Sequence, residues 1–135
     1  YRFDYFNAVG SIKNFNEIKD DNVVKCILSV NEKILFCTRE LKNLKFSKNY
    51  EPVKKILGIL GYSKKGLRKF SKLKRTPFEK ANSIDQSRII ENDYVLKGVK
   101  FIYSYPGINN RKEEELIKKI LKKDKKQQEI LEKIL

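Results

Sequence analysis

The 135 residues contain no histidine, no methionine and no tryptophan, only two cysteines and three prolines, and far fewer acidic than basic side chains. Each gap excludes something. Without histidine there is no imidazole base near neutral pH, no His-ligated zinc and no nucleophile triad that depends on one. Cys26 and Cys37 are too few for a disulfide framework and a poor zinc set on their own. The chain has no phosphate-cradling glycine loop, no C-x-x-C and no nucleophile-elbow motif. No catalytic residue, metal ligand or cofactor site is therefore expected. No run of 18 apolar residues and no signal-peptide pattern occurs, so the sequence reads as intracellular (cytoplasm, nucleoid or nucleus) with no membrane partner.

What is present fits a folded α+β protein. An apolar content of 40% with 11% aromatics is enough to build a core. A single domain is expected over residues 1–110, followed by an amphipathic helix over 111–135. The formal charge of +14 is unevenly spread. Residues 1–41 carry six basic and six acidic side chains, whereas residues 42–80 carry thirteen basic and two acidic, Glu51 and Glu79. Cations gathered in one segment are the footprint of a polyanion site.

That segment contains EPVKKILGILGYSKKGLRKFSKL, residues 51–73. Pro52 suits a first helical position; Val53, Ile56, Leu57 and Leu60 follow at helical spacing, and Gly61 suits a C-terminal stop. Ser63 is a good N-cap for a second helix bearing Leu67, Phe70 and Leu73 on one face. Ile56, Leu60, Leu67 and Phe70 around Gly61, with Ser63 opening the second helix, resemble a helix-turn-helix. The resemblance implies a basic recognition helix on nucleic acid, duplex DNA ahead of RNA. Its contacts would be Lys45, Tyr62, Ser63, Lys64, Lys65, Arg68, Lys69, Lys72, Lys74 and Arg75. Lys72–Arg75 also resembles a minimal nuclear import signal.

Two hairpins frame this pair. Val23–Glu40 pivots on Asn31-Glu32, with Ile27 facing Phe36, Leu28 facing Leu35 and Cys26 facing Cys37 as buried free thiols. Tyr1, Phe3 and Tyr5 suggest a first strand, Gly10-Ser11 a turn, and residues 12–22 a short helix or a loop. Pro77 opens another short helical turn. Residues 87–105 read as a second hairpin, with Asn92-Asp93 and Lys97-Gly98 competing for its turn. A hairpin after such a helix pair resembles a winged helix. Arg111–Leu135 is a terminal helix whose apolar residues Ile130, Leu131, Ile134 and Leu135 suit a second copy or a partner subunit.

The expected function is thus non-enzymatic binding of duplex DNA in replication, partition or transcription. The alternative is a basic structural subunit of an RNA-binding or protein assembly. A third reading is a metal-dependent nuclease of the PD-(D/E)XK type using Asp85, Glu91, Asp93 and Lys97, whose spacing departs from that family's motif.

Overall fold

The computed structural model describes residues 3–41, 51–102, 107–108 and 111–134. The chain forms two compact units, residues 1–103 and 104–135. The first holds β1 (Tyr5–Ser11), α1 (Phe15–Lys19), β2 (Lys25–Leu28), β3 (Ile34–Thr38) and β4 (Val53–Tyr62), then α2 (Lys64–Phe70), α3 (Pro77–Asn82), α4 (Gln86–Glu91) and β5 (Leu96–Phe101). Its strands make one mixed sheet in the order β3-β2-β4-β1-β5, with β1 and β5 parallel and the other pairs antiparallel. This is not a winged helix.

The expected first helix of the basic pair is strand β4. VKKILGILGY satisfies a helical period, but its β-branched residues suit a strand and its two glycines weaken a helix, and a short apolar run obeys either template. Sheet partners decide the matter: β4 pairs with β1 from Lys54 to Tyr62 and with β2 from Val53 to Lys55. The second helix forms as α2, capped as expected by Ser63, whose Oγ accepts from Gly66 N at 2.9 Å. Gly66 is there for space: a Cβ would lie 2.5 Å from the backbone oxygen of Asp4.

The expected second hairpin is likewise replaced, by α4 and the single strand β5, which crosses back to lie parallel to β1. Gly10 and Ser11, expected as a turn, end β1. The short helix after them exists as α1, capped by Asn14. Pro77 opens α3.

The first hairpin forms in the expected register. Cys26 faces Cys37 and Ile27 faces Phe36, after which a bulge pairs Leu28 with Ile34 rather than Leu35. Both thiols are free and buried, and burial pushes Cys26 up to about 12. The hairpin's turn reaches β5, where Gly98 N donates to Glu32 O at 2.8 Å. A Cβ on Gly98 would press on Leu28 at 2.9 Å, so the closure depends on the missing side chain. Tyr5, Val9, Cys26, Leu28, Ile34, Cys37, Ile84, Ile89 and Leu96 form the core this closure encloses.

The second unit contains α5 (Arg111–Lys123) and α6 (Lys125–Ile134). The expected single helix is divided at Asp124, whose Oδ1 accepts from Lys126 N at 3.1 Å and Gln127 N at 3.2 Å. Ile130, Leu131 and Ile134 are exposed; Leu135 lies outside the described residues.

Candidate functional site

The basic helix is a surface rather than a reading head. Lys64, Lys65, Arg68, Lys69 and Lys72 line an open depression of about 390 Å³. Lys64, Lys65, Arg68, Lys72 and Lys74 are exposed, and so is Leu67, so no apolar stripe anchors α2 on a preceding helix. Lys69 is half-buried, 3.9 Å from the Asp4 carboxylate and 5.3 Å from the Tyr94 ring centroid. Arg75 Nε turns away to Glu79 at 3.2 Å. Tyr62 packs inward, its ring 5.3 Å from Phe70 and 5.9 Å from Tyr5. Ser63 Oγ donates to Asp4 Oδ1 at 2.5 Å, which ties the cap to the start of β1. Lys45 lies outside the described residues.

A second charged region, unforeseen in the sequence, is built on α3 and α4. Glu79 is almost fully buried and accepts from Arg88 Nε at 2.8 Å, Arg88 Nη2 at 2.5 Å and the Thr76 N–H at 3.3 Å. The Arg88 guanidinium holds the Glu79 carboxyl below its usual range despite its burial. Glu91 completes the join by accepting from the Phe78 and Glu79 N–H groups at 3.1 and 3.2 Å, at the N-terminus of α3. Burial alone would raise the Glu91 carboxyl; its hydrogen bonds from Thr76 and these N–H groups hold it below the usual range.

These contacts fix the turn Asn82–Gln86 over the sheet, and three strands send polar groups to it. From β1, the buried Asn7 accepts from Gln86 Nε2 at 3.0 Å and donates to Ala8 O at 2.7 Å and Leu57 O at 3.1 Å. It sits where the β1–β4 ladder is interrupted, between the pairs Asn7–Leu60 and Val9–Ile56. From β4, Tyr62 approaches Asp85; burial first and that negative charge second push its phenol upward. From just beyond β3, Arg39 donates through Nε to Asn82 O at 3.2 Å and through Nη1 to Asp21 O at 3.0 Å.

Arg39 differs from its neighbours in what it lacks. Arg75 and Arg88 both bind Glu79, whereas half-buried Arg39 has no carboxylate bonded to it among the described residues. Two of its five N–H donors are spent on neutral carbonyls, which aim the guanidinium and leave three N–H groups on Nη1 and Nη2. Close to it, the fully buried Lys25 donates to Asp20 O at 2.8 Å, and burial lowers its ammonium from the ordinary value. The arrangement can receive a carboxylate or phosphate at a site set by backbone carbonyls rather than by flexible side chains.

The nuclease constellation does not assemble. Glu91 caps α3, Lys97 pairs with Glu32 at 3.0 Å and donates to Asn31 O, and Asp93 sits in a left-handed turn with φ 60°. Among the described residues no group of three or more His, Cys, Asp or Glu side chains is placed to hold a metal ion.

The fold is an α+β arrangement around a five-stranded mixed sheet. It is similar to the solved structure of CMP:2-keto-3-deoxy-manno-octonic acid synthetase complexed with CTP, with a TM-score of 0.74, 19% identity, and coverage of 88% of this chain and 49% of that one. Among curated proteins the 3-deoxy-manno-octulosonate cytidylyltransferase of Chlorobium limicola is 26% identical over 114 residues, 82% of this chain and 45% of the relative. That of Fusobacterium nucleatum is 27% identical over 111 residues with the same coverage. The chain thus spans less than half the length of these relatives, and no family profile matches it. These likenesses overturn the expected DNA-binding, non-enzymatic reading: the similar proteins are cytidylyltransferases, not helix-turn-helix proteins.

Proposed function

We propose that this chain supplies part of a cytidylyltransferase that joins CMP from CTP to a 3-deoxy sugar acid. Likeness in sequence to enzymes of that name and in fold to a CTP-bound synthetase supports the reading. The structural observation that carries it is Arg39, a half-buried guanidinium aimed by Asn82 O and Asp21 O and free of any bonded carboxylate among the described residues. The carboxylate of a sugar acid is a planar anion that a guanidinium binds. Gln86, fixed on Asn7, stands on the same turn to take a hydroxyl.

In cytidylyl transfer a sugar oxygen attacks the α-phosphorus of CTP and pyrophosphate leaves, so the site must offset phosphate charge and align the attacking oxygen. In this reading Arg39 and Gln86 supply alignment on the sugar-acid side. An enzyme that consumes CTP belongs inside the cell, and among the described residues no helix is long and apolar enough to cross a membrane.

Titration with 3-deoxy-manno-octulosonate by calorimetry, with CTP and UTP in parallel cells, tests the proposal. Arg39→Ala should weaken sugar-acid binding about 10- to 100-fold, the loss expected for a charge-assisted pair of hydrogen bonds, and Arg39→Lys should restore little of it. Equal affinity in wild type and Arg39→Ala would remove Arg39 from the site.

A further inference from the structure

The outer face of α2 is strongly basic, and the site around Arg39 makes no use of it. Between Glu51 and Glu79 the sequence holds no acidic residue. Lys64, Lys65, Arg68, Lys72 and Lys74 are all exposed, and none has an ion-pair partner among the described residues. The Asp4 carboxylate, which borders the helix, is already engaged by Ser63 Oγ and Lys69. Leu67 stands among these cations 52% exposed, an apolar side chain on a face otherwise built of charge.

The inner side of α2 is fixed while its outer side chains are loose. Gly66 lies against Asp4 with no room for a Cβ, and the Phe70 ring packs 5.3 Å from the Tyr62 ring and 4.5 Å from the Arg88 guanidinium. The helix is a firm platform for long, unanchored cations.

These features select among anionic partners. A folded acidic protein is matched by side chains held in place, and lysine is depleted from such interfaces. A duplex read by this helix would need Tyr62 and Ser63 turned outward, whereas both are engaged by the protein itself. A second copy would set cation against cation. A fluid anionic leaflet asks for no fixed geometry: each cation near it raises partitioning about fivefold, and an apolar side chain reaching past the headgroups adds to this.

We propose that the α2 face docks the protein on an anionic lipid bilayer, with its five unpaired cations against the headgroups and Leu67 inserted between them. Surface contact of this kind requires no spanning helix, and among the described residues there is none. The proposal does not rest on the cytidylyltransferase reading, since it uses no residue assigned to the sugar acid. Five cations at about fivefold each multiply to on the order of a thousandfold, an attraction that salt screens and therefore reverses.

Vesicle flotation of the full chain tests the proposal. The chain should float at low salt with phosphatidylcholine vesicles containing about one-third phosphatidylglycerol, stay behind with phosphatidylcholine alone, and be released by about 0.5 M salt. Arg68→Gln with Lys72→Gln should lower partitioning about twenty-five-fold, two cations at about fivefold each, with an unchanged circular dichroism spectrum. Lys118→Gln with Lys122→Gln, an equal loss of charge from exposed positions on α5, should change it by less than about twofold. Leu67→Gln should weaken vesicle binding about fivefold and leave heparin binding as it was. No flotation with the anionic vesicles, or equal losses from the two double variants, overturns the proposal. So does vesicle binding indifferent to Leu67→Gln, which reduces the face to a general attraction for polyanions. Retention on duplex DNA at a salt concentration that releases the vesicles overturns it too.

Discussion

Two regions of this molecule are rich in charge, and they are built in opposite ways. On α2 the cations stand in water: Lys64, Lys65 and Arg68 are exposed and have no ion-pair partner among the described residues. Around α3 and α4 the charges are few but interlocked, with Glu79 buried between Arg88, Arg75 and the Thr76 N–H. Density of charge and organisation of charge therefore occur apart. A solvated lysine face costs little and fixes nothing, since exposed charges are screened and mobile. A buried carboxylate held by two guanidiniums fixes backbone, and through the Asn82–Gln86 turn it places Arg39, Asn7 and Gln86.

The sharpest way to break this contrast is to remove Glu79. Glu79→Ala leaves Arg88 buried without its partner and strips a hydrogen bond from the first turn of α3, and loss of one member of a buried pair costs about 3 to 5 kcal/mol. Denaturant unfolding should show a loss of that size, with weakened sugar-acid binding at temperatures where the variant is still folded. A midpoint within 0.5 kcal/mol of wild type, to order of magnitude the effect of a surface change, would show that the cluster is not structural.

Next in size is Gly66→Ala, which brings a methyl group to 2.5 Å from Asp4 O and should cost about 1 to 3 kcal/mol as the α2–β1 junction opens. The same substitution in a free-standing helix would stabilise, because alanine is the better helix former, so the sign of the effect reports whether α2 is docked. Acid should act in the same direction on the other region. Glu79 has a folded pKa below the ordinary 4.5, so it contributes stability in full above about that pH and loses it as pH falls through the depressed value. Glu91 shares the direction. Melting temperatures measured from pH 6 down to pH 3 should fall more steeply for wild type than for Glu79→Gln.

The hairpin Val23–Glu40 was legible because its information is local: alternation about Asn31-Glu32 points to the pairing of Cys26 with Cys37, and the wider turn that forms, closed by Ser29 N donating to Lys33 O, is offset by the bulge at Leu28. The cap at Ser63 and the helix opening at Pro77 were legible for the same reason. Segment 53–62 was not, since its apolar period fits helix and strand alike and only β1 and β2, distant in sequence, choose between them. The candidate site was largely hidden. Thr76-Pro-Phe-Glu79 carries a visible capping-box pattern that could have started α3 correctly. Nothing near Arg39 in the sequence announces that Asn82 O, 43 residues away, will hold its guanidinium. The concentration of lysine around Ser63 was legible and misleading, because composition reports how many cations a surface carries and not whether any of them is held in place.

The smallest effect is expected at Lys64, and its sign is informative. Lys64 opens α2, where the helix dipole disfavours a cation and where the first turn contains no acidic residue. It also stands four residues before Arg68, a like-charge pair on one exposed face. Lys64→Glu replaces both unfavourable terms, adding a carboxylate at the N-terminus and an i, i+4 pair with Arg68 in the better orientation. We expect stabilisation of about 0.3 to 1 kcal/mol, read as a higher denaturant midpoint at low salt that converges with wild type near 1 M salt. If α2 is only a solvated face, sugar-acid and CTP affinities stay unchanged while stability rises. Destabilisation by Lys64→Glu would mean that the ammonium has a structural partner. A fall in CTP affinity alone, with stability raised as expected, would bring α2 into the nucleotide site and reduce the separation between the two charged regions to one of distance.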